Sequence, residues 1–171
     1  MRERNMTTIL VDVEKRTIYS DSRATINSNG IEMFGGDSVK LFRHPSNKLI
    51  AGTFGCLKTS WETLNNLGFE TPQYANGLLV DSLSNESAQC GVLLLNIYND
   101  TVTYIERKTT KTGKEEYTKI QYCRGATGIS GGSGNHIVWE VFKHTGCPLR
   151  AMRYAGLIDK YSDTNIKKIT F

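Results

Sequence analysis

The order of strand-like and helix-like segments most restricts the folds open to this chain. Residues 8–53 hold short β-branched and apolar runs separated by polar turns, and residues 57–85 change to apolar residues at three- and four-residue spacing. Strand patterns return over 90–122, helical patterns occupy 135–161, and a last strand is predicted over 166–171. Strand blocks that alternate with helix pairs predict antiparallel sheets covered by layers of helices, which is an α+β fold.

Glycines mark several of the predicted boundaries. Gly68 and Gly146 follow helical patterns and are predicted to end two helices. The polar stretch 27–30 and the segment 35–37 are predicted to be turns, and the glycine-rich segment 128–134 is predicted to open a helix.

Length and composition predict a single globular domain without a membrane segment. The chain has 171 residues, 39% hydrophobic and 22% charged, which is enough for one sizeable core. The longest apolar run, residues 91–95, is far too short to span a bilayer, and residues 1–5 have no apolar secretory core. The net charge of +4 is dispersed and no nucleic-acid recognition motif is present. We therefore expect a cytoplasmic protein that binds neither membrane nor nucleic acid.

The cysteine and histidine spacing predicts no metal site. The cysteines lie far apart without a CxxC pair, and the histidines do not complete a zinc pattern. Reduced thiols in a cytoplasm are the expected state. These residues are Cys56, Cys90, Cys123, Cys147, His44, His136 and His144.

Two adjacent threonines begin the first predicted strand. Thr7 and Thr8 follow Met6 and lead into Ile9 and a run of apolar residues. If nothing preceded Thr7, that residue would carry a hydroxyl nucleophile and a free α-amino base together. Taken alone, these residues are more typical of an ordinary strand whose threonines suit a pleated surface.

Six short motifs occur in order along nearly the whole chain. They are Thr7-Thr8-Ile9, Asp21-Ser22-Arg23-Ala24-Thr25, Ser38-Val39-Lys40, Ala51-Gly52-Thr53-Phe54-Gly55, Gly132-Ser133-Gly134 and Asp159-Lys160-Tyr161-Ser162. In sequence and in placement they resemble the proteasome β-subunit family, including the HslV-type peptidases of bacterial ATP-dependent proteases. The resemblance implies a four-layer αββα sandwich, the N-terminal-nucleophile hydrolase fold.

The resemblance also implies a catalytic role for several residues. Thr7 is expected to be the nucleophile, with its α-amino group, of pKa about 8, as the base. Lys40, in a strand predicted over 38–42, is expected to lower the cost of the developing alkoxide, and Asp21 to keep that lysine charged and oriented. The backbone N–H of Gly52 is expected to bind the oxyanion. Three further residues are expected to surround the α-amino group and to orient it, namely Ser133, Asp159 and Ser162. Thr8 and Arg23 are expected to support the site.

An ordinary structural role remains open for four of these residues. Asp21 can be a turn aspartate and Lys40 a solvated strand lysine. Ser133 can be a helix N-cap and Gly52 a plain turn glycine. By position in the family, the substrate pocket is expected to be apolar with a basic edge. Its predicted lining is Ala24, Phe42, Ile50, Phe54 and Lys58.

The front of the chain departs from the proteasome pattern, because Met6 stands where a glycine commonly precedes the threonine. Residues 1–6 are interpreted as a pro-segment or a mis-assigned start, and residues 7–171 as one peptidase domain. The resemblance implies no cofactor, a homo-oligomeric ring that stacks in pairs, a separate ATP-dependent unfoldase, and unfolded polypeptides as substrates. The alternatives are a catalytically silent ring homologue in which Thr7 is never freed, and an amidase acting on a small substrate.

Overall fold

The computed structural model describes residues 7–28, 31–37, 39–71, 88–97, 101–109, 115–122 and 128–170. Within these ranges the chain forms eleven strands and three helices, and it is a mixed α+β protein as predicted. The strands are β1 (Thr8–Asp12), β2 (Thr17–Ser20), β3 (Arg23–Ser28), β4 (Ile31–Asp37), β5 (Leu41–Arg43), β6 (Leu49–Gly55), β7 (Ala88–Asn96), β8 (Thr101–Thr109), β9 (Glu115–Tyr122), β10 (Gly128–Gly132) and β11 (Lys167–Thr170). The helices are α1 (Leu57–Asn66), α2 (Asn135–Thr145) and α3 (Pro148–Ile158).

Two antiparallel sheets and one separate hairpin contain all of these strands. The first sheet has the order β10-β1-β2-β11 and the second the order β5-β6-β7-β8-β9, while β3 pairs with β4. Strand β1 therefore has a neighbour on each side, with Thr8 opposite Gly132 of β10 and Ile9 opposite Ser20 of β2. Thr7 directly precedes this internal strand.

Side-chain alternation along the strands creates three packed cores. Ile9 and Val11 point from β1 toward the second sheet, where they meet Ile50 and Leu93. Leu10 points the other way, into a core shared with α2 and α3. Helix α1 covers the outer face of the second sheet. The described layers are therefore helices, sheet, sheet and helix, in that order.

The glycine-rich segments mostly form strands, which corrects two predictions. Residues 35–37 belong to β4, where Gly35 is the extra residue of a bulge between Ala24 and Thr25 of the partner strand. Gly128–Gly132 is strand β10, and only the residues after it begin a helix. A Cβ on Gly131 would lie 2.4 Å from Phe54. The glycine at residue 35 thus accommodates a bulge, and Gly131 allows close packing.

Other boundaries agree with the predictions or shift by a few residues. Gly68 and Gly146 follow α1 and α2 with φ of +88° and +62°, so the two helix ends are confirmed. Strand β5 begins only at Leu41, which leaves Lys40 just before it, and α3 ends at Ile158 rather than near residue 161. Almost all of the second predicted helix, over 71–85, lies outside the described residues.

None of the helices in the described part of the chain is both long enough and apolar enough to cross a membrane.

Candidate active site

Strand β10 and the turn after it place Thr7 against Ser133. The Thr7 backbone N–H donates to Ser133 Oγ at 3.3 Å, and Ser133 Oγ also lies 3.3 Å from the Thr7 carbonyl oxygen. A Cβ on Gly132, which has φ of +89°, would lie 1.9 Å from that same oxygen. A Cβ on Gly134 would lie 1.9 Å from Thr8 Oγ1. The two glycines flanking Ser133 are therefore required for this approach.

Lys40 and Asp21 form a buried ion pair. Lys40 Nζ donates to Asp21 Oδ1 at 2.9 Å, and the two residues are 4% and 1% exposed. Asp21 also accepts the backbone N–H of Thr8 at 3.0 Å and that of Arg23 at 3.1 Å. The alternative of a solvated strand lysine is wrong. The alternative of a turn aspartate is only part of the role of Asp21. Its carboxylate accepts the Arg23 N–H within its own turn, and it also binds Lys40 and the Thr8 N–H of β1.

Burial acts against both charges of this pair. It lowers the pKa of Lys40 below the ordinary 10.5, and the Asp21 carboxylate opposes that change. It raises the pKa of Asp21 above the ordinary 3.8, and Lys40 and the backbone N–H groups of Thr8 and Arg23 oppose it. Directed hydrogen bonds thus hold together two charged groups that are costly to bury. Such a buried ion pair is weak evidence for stability. Groups with pKa values shifted in this way are common at functional sites.

A second network centres on Asp159, which follows the last turn of α3. Asp159 Oδ2 accepts Ser133 Oγ at 2.5 Å and Ser162 Oγ at 2.7 Å. Ser162 Oγ lies 2.7 Å from Thr8 Oγ1. Because Ser162 gives its proton to Asp159, Thr8 is the donor in this last bond. The N-cap alternative for Ser133 is wrong, since Gly134 occupies the N-cap of α2 and Ser133 binds Asp159 instead.

Thr8 connects the two networks. Its backbone N–H binds Asp21, its hydroxyl binds Ser162, and it is completely buried. The structure thus brings together Thr7 and Thr8 with Asp21, Lys40, Ser133, Asp159 and Ser162, all of them predicted from the sequence. Arg23 is at the edge of the group and donates from Nη1 to the Lys160 carbonyl at 2.7 Å.

Gly52 does not reach this group, so its predicted oxyanion role is wrong. Ile97 N–H donates to the Lys48 carbonyl at 3.1 Å, and hydrogen-bonded pairs alternate along an antiparallel ladder. Every second residue pair along β6 and β7 is hydrogen-bonded, starting from Lys48 opposite Ile97, so Gly52 opposite Leu93 is also a bonded pair. The Gly52 N–H is therefore used within the sheet. A Cβ on Gly52 would lie 3.0 Å from Ile9, which assigns this glycine to close packing between the sheets.

Gly55, three residues later, has the geometry that Gly52 lacks. It ends β6 with φ of +92°, directly before the N-cap of α1. The same alternation makes Phe54 opposite Gly91 a bonded pair, so the Phe54 carbonyl points toward β7. The Gly55 N–H lies in the same peptide plane and points the opposite way, toward the edge where Lys40 precedes β5. Its place at a strand-to-helix turn is the sequence signal that could have identified it.

Three of the five residues predicted to line the substrate pocket do not lie together in the structure. Phe42 packs on the α1 side of the second sheet, whereas Ile50 and Phe54 pack between the two sheets. They are 6%, 0% and 4% exposed. Because the sheet separates them, these side chains belong to two cores rather than to one pocket. The side chains of Ala24 and Lys58 lie outside the described part of the structure.

Possible metal ligands do not cluster at this site in the described residues. Among them, no group of three or more His, Cys, Asp or Glu side chains could hold a metal ion. Two surface cavities lie beside α3, both lined by Cys147, Leu149 and Arg153. Thr7 itself is 2% exposed in this chain, which includes the residues before it.

No protein-family model matches the chain, and no curated protein is similar to it.

Proposed function

We propose that this chain is a threonine-type endopeptidase subunit related to the proteasome β subunits and the HslV-type peptidases. The single observation that carries the proposal is the convergence of two buried polar networks on Thr7 and Thr8, at the start of an internal strand. Five of the six motifs contribute residues to these networks, and residues 51–55 are the motif that does not. On this proposal, the layering of helices, sheet, sheet and helix is the N-terminal-nucleophile hydrolase fold.

In the proposed reaction Thr7 Oγ attacks the carbonyl carbon of a peptide bond. The free α-amino group of Thr7 takes the hydroxyl proton and delivers it to the leaving amine, which leaves an ester on Thr7 Oγ. Water then hydrolyses this ester, releases the new carboxyl end and restores the Thr7 hydroxyl. Ser133 Oγ, 3.3 Å from this nitrogen, orients the amine, and Asp159 holds Ser133. The Lys40 ammonium stabilises the alkoxide that develops on Thr7, and Asp21 keeps the ammonium in place.

The negative oxygen of the tetrahedral intermediate needs a separate donor. We assign this role to the backbone N–H of Gly55, because it points to the Lys40 edge of β6 and lies at the strand-to-helix turn. A main-chain donor fixed by a sheet and a helix start is already oriented before the reaction begins.

The intact networks favour an active enzyme over a silent homologue. A buried ion pair such as Lys40 with Asp21 is weak evidence for stability, so folding alone does not explain why both charges are present. The deciding experiment incubates a chain starting at Thr7 with an unfolded protein and, separately, with small amides. Peptide release from the unfolded protein supports the proposal. Turnover of small amides alone indicates an amidase, and no turnover of either indicates a silent homologue.

A ring assembly is part of the proposal, because a general peptidase free in the cytoplasm would endanger the proteins around it. We expect a closed homo-oligomeric ring, stacked in pairs around the active sites and supplied with unfolded chains by a separate ATP-dependent unfoldase. Light scattering of the purified protein at micromolar concentration should report a particle many times larger than one chain. A particle of 19.1 kDa would contradict both the ring and the unfoldase.

The rate of peptide cleavage should depend on pH through two groups of the site. It should rise as the α-amino group loses its proton, at a pKa of about 8. It should fall again as Lys40 loses its proton, and burial brings this fall below pH 10.5. A profile of kcat/KM against pH on a short peptide tests this, with substrate stability checked at each pH. A rate that keeps rising past pH 10.5 would show that the Lys40 charge is not required.

A further inference from the structure

Three hydrogen bonds outside the catalytic group join residues 21–23 to the loop of residues 159–165. The Ser22 backbone N–H donates to Asp163 Oδ1 at 3.0 Å, and Ser22 Oγ donates to the Asn165 carbonyl at 2.5 Å. Arg23 Nη1 donates to the Lys160 carbonyl at 2.7 Å. Ser22 is completely buried between the two segments.

These bonds connect the backbone segments that carry the two networks. Ser22 directly follows Asp21, which holds Lys40. Asp163 directly follows Ser162, which binds both Asp159 and Thr8. Any shift between the two segments would therefore move the Lys40 ammonium relative to the serines and Asp159 that face the Thr7 nitrogen.

Asp163 is the side chain best placed to prevent such a shift. Its Oδ1 accepts the Ser22 N–H from the facing segment and the Asn165 N–H from its own loop, at 3.0 and 3.2 Å. It therefore both shapes its own turn and attaches the turn to Ser22. Its negative charge also raises the pKa of Lys40, as Asp21 does more strongly, while Arg23 lowers it.

We propose that Asp163 and Ser22 are positioning residues, which hold the loop carrying Asp159 and Ser162 in register with the segment carrying Asp21. Neither residue touches the reacting atoms. The inference rests on the proposed function for its effect on rate, although the contact itself exists independently of any activity. Displacement of catalytic groups by about 1 Å can cost about 100-fold in rate.

The test compares two substitutions at Asp163 in a chain starting at Thr7. Asp163→Ala removes the acceptor, and we expect kcat per titrated active site to fall at least tenfold with KM unchanged. Asp163→Asn keeps an oxygen that can accept both N–H groups, so it should retain most of the kcat. Thr164→Ala, an exposed change in the same loop, is the matched control and should behave like the parent.

Several outcomes would overturn the proposal. An Asp163→Ala chain with parental kcat would do so, and so would an Asp163→Asn chain as slow as Asp163→Ala, because the hydrogen bonds would then not be what matters. If Asp163→Ala reduces the number of active sites that can be titrated, but the remaining sites keep the parental kcat, then Asp163 acts in folding only.

Hydrogen exchange separates this inference from the proposed peptidase function. If the parent chain has no peptidase activity, the proposed function fails, yet the Ser22 amide can still be followed by NMR. Faster exchange of this amide in Asp163→Ala but not in Asp163→Asn would support the positioning contact. Equal exchange in all three proteins would overturn it.

Discussion

A Lys40→Ala variant of the chain starting at Thr7 is expected to lose at least about 100- to 1000-fold in kcat/KM on a peptide substrate. This is the scale seen when a single group that stabilises developing charge is removed from an enzyme site. The Lys40 ammonium is buried and directed by Asp21 at 2.9 Å, so water cannot replace it well. Lys40→Arg should not restore the rate, because a planar guanidinium does not fit a compact ammonium site.

The control for this prediction is Lys15→Ala, in the exposed turn between β1 and β2. It removes the same charge from the protein and should leave the rate unchanged. Because Lys40→Ala leaves Asp21 buried without its partner, the double variant Asp21→Asn with Lys40→Ala should also be measured, with thermal unfolding of each protein. A folded Lys40→Ala protein that cleaves peptides at the parental rate would refute the assignment of Lys40.

Removal of residues 1–6 is expected to change the protein from inactive to active. While an amide joins Met6 to Thr7, the Thr7 nitrogen has no basic lone pair, and it donates its one proton to Ser133. Once the amide is gone, the same nitrogen is an amine beside Ser133 and can act as the base. A chain translated from Met6 should reach this state by ordinary methionine removal, since threonine is small.

The matched control is Thr7→Ala, made both in the long form and in the chain starting at residue 7. It should abolish cleavage in the short form. If the long form matures by itself, Thr7 must attack the Met6 carbonyl, and Thr7→Ala should then keep the precursor at full mass. A long form that matures despite Thr7→Ala would exclude self-processing.

The strands and helices were predictable where local pattern decides them. The apolar run Ile9-Leu10-Val11 indicated a strand buried on at least one face, and the structure buries both, with Ile9 and Val11 between the sheets and Leu10 against the helices. The glycines of β4 and β10 do not form the predicted turns, since glycine also occurs at bulges and where another backbone or ring approaches closely. That requirement comes from a distant residue, such as Phe54 beside Gly131, and leaves no mark in the local sequence.

The candidate site was predictable where a motif names a side chain. Lys40 was expected beside Asp21, and Ser133 beside Thr7, and the structure places both pairs in contact. The motif does not show that the Gly52 N–H is used within the sheet, because that depends on strand register. The pocket prediction failed for a related reason. Positions copied along a motif do not show on which face of a sheet each side chain lies.

Ser22 and Asp163 were not singled out from the sequence at all. Ser22 lies in the motif of residues 21–25, in which the resemblance gives a role to its neighbours Asp21 and Arg23 but not to Ser22 itself. Asp163 directly follows the motif that ends at Ser162. Their contact joins residues 141 positions apart, so it exists only once the sheets have packed.

Whether Thr7 is an N-terminal nucleophile can be decided from the intact mass of the protein after reaction with a peptide β-lactone, followed by mapping of the modified residue. We expect a single acyl adduct on Thr7 in the chain that starts there, no adduct in Thr7→Ala, and none in a protein that retains residues 1–6. Full peptidase activity, or an adduct on Thr7, in a protein whose mass still includes those six residues would contradict this role of Thr7.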